Sequence, residues 1–435
     1  MHSSMPMPSI CYLLSRYRVA RLLVLILFGA QSPAFAAADF WEVLQQQGKT
    51  LDIMSIDSAA GQLMVIGARY VEASLVVPEG SEVSPFLPPV VRKQLYVMGV
   101  AANEQVLWQQ TYPALPDVHE IYSTAASDNQ RLCVLYGEQP TADASDLDPV
   151  LLQLDLQGKI LWAKRNLITS STVNAQGAGS LEQVANLDTL RVVTSPDNGC
   201  VLAYVTRMIS QEADKFKLHV IEHTASGDVR WHQTLDTSLY GKMFLVHNRK
   251  AKRYVIVQTN QSRDAAVQAM MLAVPFVPKT ALIGLDYSGA VGFQSIEPTE
   301  LAKLWVKTAM DTDGDSILLA GKTKAAWAGL VKPNGEIQSY TDRFDDEYSA
   351  AAADSAGILL SRGDHLTLTS TRLELVSDRA IQPITTRRYV NQYLAARLPD
   401  DLPVQQIIPV GHNEYLLLYT LGSKLVKIRV DKRAK

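Results

Sequence analysis

Apolar runs of strand length recur along this chain, each introduced by a short polar cluster rich in Asp, Asn and Gly. The clearest is Ser195-Pro196-Asp197-Asn198-Gly199, which precedes the run Cys200 to Val205. Asn and Gly tolerate positive φ, so the chain can reverse there into a hairpin, and the apolar run behind it has the length of one strand. His219-Val220-Ile221 then reads as a second strand, and Gly227-Asp228-Val229-Arg230-Trp231 as a turn and a short strand carrying a large aromatic. The turn-then-strand signal returns seven times. It stands at Asp57 to Gly61, Asp128 to Gln130, Asp197 to Gly199, Asn248 to Lys250, Asp313 to Asp315, Asp354 to Gly357 and His412 to Glu414. The spacing is irregular, as expected of a common unit carrying loops of different length.

A second signal falls between members of the first. Leu154-Asp155-Leu156-Gln157-Gly158-Lys159-Ile160-Leu161-Trp162 and Leu285-Asp286-Tyr287-Ser288-Gly289-Ala290-Val291-Gly292-Phe293 share Leu-Asp, a glycine three residues on and an aromatic four beyond it. Looser copies run from Asn103 to Trp108, Gly227 to Trp231 and Pro333 to Tyr340. Such a segment encodes a strand, a glycine turn and a strand ending in an aromatic, so each unit holds about four short strands.

These alternating signals resemble bacterial extracytoplasmic β-propeller repeats, and the second half is similar to the repeats of quinoprotein-like propellers. The resemblance covers most of residues 50 to 432 and implies an all-β fold of seven blades, each of about four antiparallel strands. It implies a fold more firmly than an activity.

For the last blade, Lys424 to Val430 reads as a third strand with no fourth behind it. Phe40 to Leu44 could supply the missing strand and close residues 37–435 into one ring through the two ends of the chain; alternatively Asp39 and Gly48 cap a short helix there. Residues 77–90, 169–188 and 261–279 read as insertions. Residues 385–398 differ in kind: Val390, Tyr393, Leu394 and Leu398 share one helical face while Arg387, Arg388 and Arg397 lie largely off it, which predicts a short surface helix ending at Pro399.

At the N-terminus, Arg16, Arg18 and Arg21 precede the apolar run Leu22 to Phe28, and Ala34-Phe35-Ala36 offers small residues for cleavage. This pattern predicts a signal peptide over residues 1–36, cut near Ala36, and hence a periplasmic or secreted protein with no membrane span afterwards. With those arginines removed the formal charge is about −6. No basic run is long enough for a nucleic-acid stripe, and a monomer is expected. An oxidising compartment allows a disulfide between Cys133 and Cys200, which start the same strand type in adjacent units. The competing reading makes each a small buried apolar residue, because equivalent positions in neighbouring sheets can lie beyond the ~7 Å Cα limit for bridging.

Candidate chemistry is sparse. Asp311, Asp313 and Asp315 alternate in a glycine-containing loop, and oxygen ligands so spaced suit calcium; the terminal bidentate Glu of a complete calcium loop is missing, so a polar hairpin turn is the other reading. Asp342, Asp345, Asp346 and Glu347 form an acidic group that could recognise a partner or supply a general acid and base. Arg387 and Arg388, on the predicted helix, are partner-binding candidates. The histidines, among them His219, His223 and His232, show no metal-ligand spacing. Trp108, Trp162 and Trp231 hold matching places in three units, where packing of one sheet on the next accounts for them better than an aromatic ring round a ligand does.

No Gly-x-Ser-x-Gly, His-Glu-x-x-His or Cys-x-x-Cys is present. The chain therefore reads as a non-enzymatic scaffold outside the cytoplasm, holding a protein partner of the envelope through loops on one face and needing no cofactor, with calcium as the one candidate ion. The alternatives are a propeller enzyme, either a quinoprotein-like dehydrogenase or a carbohydrate-active hydrolase or lyase, and an immunity or inhibitor protein.

Overall fold

The computed structural model describes residues 38–430, except 48–49, 73–90, 128–129, 139–148, 166, 168–169, 174–178, 210–214, 262–275, 297, 302, 342–345, 355–356, 382, 392–401 and 412. The predicted signal segment lies outside the described residues. Asp39–Lys435 forms one compact unit.

Seven antiparallel sheets make up the unit, each containing four strands in the order inner to outer. Blade one is β1 (Leu51–Ala59), β2 (Gln62–Glu72), β3 (Val91–Ala101) and β4 (Val106–Thr111). Blade two is β5 (Val118–Ser127), β6 (Arg131–Glu138), β7 (Pro149–Asp155) and β8 (Ile160–Lys164). Before blade three comes a hairpin, β9 (Ser170–Val173) and β10 (Gly179–Val184); the blade proper is β11 (Arg191–Thr194), β12 (Cys200–Ile209), β13 (Lys215–His223) and β14 (Val229–Thr237). Blade four is β15 (Met243–Asn248), β16 (Arg253–Thr259), β17 (Thr280–Asp286) and β18 (Val291–Ile296). Blade five is β19 (Trp305–Asp311), β20 (Ile317–Lys322), β21 (Ala326–Val331) and β22 (Ile337–Thr341). Blade six is β23 (Tyr348–Asp354), β24 (Gly357–Arg362), β25 (His365–Thr369) and β26 (Leu375–Ala380). The last blade takes β27 (Pro383–Val390) as its outer strand and β28 (Val404–Gly411), β29 (Glu414–Tyr419) and β30 (Lys424–Arg429) as the other three. The inner strands contact one another in sequence and β1 meets β28, so the sheets close into a ring, a seven-bladed β-propeller.

Burial follows position in the blade. Second and third strands are covered on both faces by neighbouring blades and read as continuous apolar runs, as in β6 and β20, where every interior residue is buried. Outer strands cover only one face, so β14 and β18 alternate exposed with half-buried positions. Apolar clusters lie between sheets: one joins blades one and two through Met64, Val97, Val134 and Leu152.

All seven turn signals join a first strand to a second. They require left-handed residues, and Asn198 (φ 63°), Asp313 (φ 57°) and Asn413 (φ 60°) supply them. The second signal joins third to fourth strands. In blade two, Gly158 N–H donates to the Asp155 carbonyl at 3.1 Å and Asp155 N–H to the Lys159 carbonyl at 3.0 Å. Asp155 Oδ1 also accepts from Gln157 N and Lys159 N at 3.0 and 2.8 Å, which explains the Leu-Asp pair.

One expectation is corrected and two open alternatives are decided. Residues 383–390 are a strand and not the start of a helix: β27 pairs with β30, Tyr389 opposite Leu425, leaving residues 392–400 outside the description. Short apolar runs do not distinguish a helix face from an edge strand, and the pairing partner lies far along the chain. Phe40–Gln47 is the helix α1 and adds no strand to the last blade; Asp39 Oδ1 accepts Trp41 N–H at 2.8 Å, an N-cap that favours helix. The seam between blades seven and one is held instead by side chains. Tyr389 OH donates to the Leu51 carbonyl at 3.0 Å, Lys427 pairs with Glu104 at 2.5 Å, and Trp41 Nε1 donates to the same Glu104 at 3.1 Å. Finally, Cys133 and Cys200 are bridged: their Cα atoms lie 6.1 Å apart, within bridging range, because β6 and β12 of adjacent blades face each other across one apolar cluster.

Candidate functional site

The inner strands of blades one to five end around a cavity of about 440 Å³ at the mouth of the central channel. β1 contributes Asp57, β5 Thr124, β11 Thr194, β15 His247, and β19 Asp311; Arg249 and Asp313 follow in the adjoining turns. Each residue stands at or near the end of a first strand because the turn signals begin there, so the same register in successive repeats brings these groups to one mouth.

The electrostatics are uneven. Burial raises Asp57 to about 6, with the Thr124 hydroxyl opposing the shift, and Asp57 Oδ2 is buried with no hydrogen-bond partner among the described residues. On the far wall Asp311 is also raised, first by burial and then by the charge of Asp313, while the Arg249 and Thr312 backbone N–H groups and the Arg249 guanidinium act against that. His247 is lowered to about 4 by burial and by Arg249, and its Nε2 lies 2.8 Å from Tyr287 OH. The imidazole is therefore neutral at physiological pH.

Of the predicted metal group, Asp311 and Asp313 reach this cavity. Asp315 does not: it is exposed and pairs with Lys250 at 3.8 Å. Among the described residues no three His, Cys, Asp or Glu side chains are grouped to hold a metal ion. Asp346 pairs with Arg362 at 3.0 Å and Glu347 with Lys307 at 3.0 Å, both on the blade five to blade six connection, while Asp342 and Asp345 lie outside the described residues. Arg388 is exposed on β27 of the last blade; the side chain of Arg387 is outside the description. The acidic group and the arginines thus belong to different blades. His219 and His232 meet at 3.0 Å across β13 and β14.

No protein-family model matches the chain, and no curated protein matches its sequence. Among solved structures it is similar to the acylaminoacyl peptidase of Pyrococcus horikoshii (10% identity over 89% of this chain and 54% of that one, TM-score 0.46). It is similar also to the polysaccharide lyase Uly1 (10%, 87% and 90%, TM-score 0.45) and the Pan2 WD40 domain of Neurospora crassa (9%, 90% and 92%, TM-score 0.43). The chain spans about half the length of the peptidase it matches. These likenesses concern fold alone.

Within the propeller, the tryptophans do not face the channel. Trp108, Trp162 and Trp231 lie on the outer strands β4, β8 and β14, and each indole N–H donates to a carbonyl in the next blade: Leu156 at 2.6 Å, Ala225 at 3.1 Å and Tyr287 at 3.1 Å. They are blade-to-blade contacts, so the packing reading of the Leu-Asp-x-x-Gly-x-x-x-Trp pattern accounts for them.

The residues that line the cavity were mostly missed by motif reasoning. Asp57, Thr124, Thr194 and His247 share no motif; the available signal was their common place just before each first turn.

Proposed function

We propose that this propeller is an extracytoplasmic binding scaffold that holds a protein partner through the face opposite the cavity. The observation that carries this reading is the one-sided distribution of connections. With the first strands all running the same way round the ring, first-to-second and third-to-fourth turns fall on one face, and all are short, as at Ala60-Gly61, Leu156 to Lys159 and Lys332 to Glu336. The second strands end and the third strands begin on the other face, where the longest stretches of sequence leave the sheets, from Glu72 to Val91, Glu138 to Pro149 and Thr259 to Thr280; the β9–β10 hairpin also stands there, paired with the end of β12. Binding residues concentrate in variable loops displayed by a rigid scaffold.

The buried Cys133–Cys200 bridge supports the oxidising compartment that the N-terminal pattern suggests. Among the described residues no helix is long and apolar enough to cross a membrane.

The test replaces residues 73–90 and 262–275 with Gly-Ser linkers, separately, and compares complexes cross-linked in the intact envelope. Complexes formed by the parent chain should disappear from the linker variants while Asp57→Asn retains them. Complexes that survive both replacements, or none with the parent chain, would exclude the scaffold reading.

A further inference from the structure

We propose that the cavity on the turn face binds a small organic cation, whose ammonium group forms the ion pair that Asp57 lacks within the chain. The site lies opposite the proposed partner face and does not depend on it. Among the described residues no Lys, Arg or His acts on Asp57; its only polar neighbour with a resolved influence is Thr124, whose hydroxyl is also 2.7 Å from Ser55 Oγ. Asp57 is half-buried, but its Oδ2 is withdrawn from water without a counter-charge, which is costly to maintain, and a ligand ammonium is the group that supplies both charge and hydrogen-bond donors. The cation within the cavity, Arg249, acts on Asp311 and His247 and not on Asp57.

The second wall favours a ligand with two ends. Asp57 belongs to blade one and Asp311 to blade five, so they stand nearly opposite each other around the axis, and Asp311 Oδ1 is likewise buried without a hydrogen bond among the described residues. Leu245, Val246 and Met310 are among the residues lining the cavity and supply apolar contact for a short methylene chain. An inorganic cation fits less well. Calcium needs six to eight oxygens at about 2.3–2.6 Å, whereas no three acidic side chains converge here among the described residues and the cavity is about 440 Å³.

The probe is 1,4-diaminobutane, titrated calorimetrically into the purified full chain at neutral pH, with 1,4-butanediol and calcium chloride in parallel. One diamine should bind per chain and the diol should not bind. Asp57→Asn should weaken the diamine at least tenfold and Asp311→Asn severalfold, with Asp346→Asn, outside the cavity, unchanged. If Asp57→Asn fails to fold, the Asp311→Asn response decides. Absence of diamine binding at millimolar concentration, equal binding of the diol, or binding indifferent to both substitutions overturns the proposal. So does calcium binding that depends on Asp57 without any diamine binding, which would make the cavity an inorganic cation site.

Discussion

Trp162 of blade two lies over Gly227 of blade three: a Cβ added to the glycine would sit 3.1 Å from the indole, and the indole N–H donates to Ala225, two residues before it. The same relation holds Trp108 to Gly158 and Trp231 to Gly289. In each turn the glycine has φ between 82° and 88°, the left-handed region closing a type I turn with a bulge. Two constraints therefore meet on one residue: backbone conformation and contact with the preceding blade. Gly158→Ala places its Cβ 2.5 Å from Trp108 as well as straining the turn, so it should lower unfolding free energy by about 2–3 kcal/mol. Urea denaturation measures this, and a loss under about 0.5 kcal/mol would remove the latch from the account of stability.

Blade four tests the same relation by substitution already present in the chain. Phe293 stands over Gly335 but has no N–H to give, and Arg253 fills the gap: its guanidinium donates to the Pro333 carbonyl, two residues before Gly335, and lies 6.0 Å from the Phe293 ring. Phe293→Trp should supply the missing donor. Arg253→Ala should then cost about 1–2 kcal/mol in the parent chain and less in the Phe293→Trp background. Additive effects in a double-mutant cycle would show that the two side chains do not share the carbonyl.

What was legible in the sequence follows from which constraints are local. The first turns need left-handed residues, which Gly61, Asn198, Asp313, Gly357 and Asn413 supply in five blades while Gln130 and Lys252 adopt that conformation in the other two, so most turns announce themselves within five residues or so, and the blade count follows. β27 announces nothing: its partner β30 follows only after β28 and β29, and Val390 at its end also fits the helix face that Tyr393, Leu394 and Leu398 suggest in sequence. The seam carried a similar ambiguity. Trp41, on a helix, donates to the Glu104 side chain in the Ala101 to Gln105 turn, whereas the outer-strand tryptophans donate to backbone carbonyls, so this contact has no counterpart in the repeat pattern. The cavity was hidden for another reason. Asp57 and Asp311 gain their relation only when blades one and five are set around one axis, and nothing near either residue in the chain records the other.

The Cys133–Cys200 bridge ties blade two to blade three across a separation of 67 residues, and both cysteines are fully buried. A loop of that length closed in the unfolded chain removes entropy worth about 4 kcal/mol in the simplest treatment, and measured losses run at about 2–5 kcal/mol. The Cys133→Ser, Cys200→Ser double variant should therefore unfold at clearly lower urea concentration. Thiol titration of the mature, denatured but unreduced protein should find no reactive cysteine from this pair. Two titratable thiols would contradict the bridge and with it the support for an oxidising compartment.

Asp57 makes stability depend on pH in a direction opposite to that of an ordinary ion-paired carboxylate. Its folded pKa is raised from 3.8 to about 6, so between those values the folded chain holds a proton that the unfolded chain has released. Stability contributed at this position therefore falls as pH rises through that window, and the full penalty is present above about pH 6. Asp57→Asn removes the charge and the penalty together. The variant should match the parent near pH 4 and exceed it by roughly 2 kcal/mol at pH 8, a figure that residual solvation of the carboxylate would reduce. His247, lowered to about 4, acts the other way by favouring the neutral ring and weakens the fold as pH drops through its unfolded value. The difference between parent and variant cancels that contribution, so urea titrations of both at pH 4, 6 and 8 isolate Asp57. A difference that stays constant across the range would mean the carboxyl is as well solvated in the folded chain as in the unfolded one, and the cavity wall would then need no counter-ion.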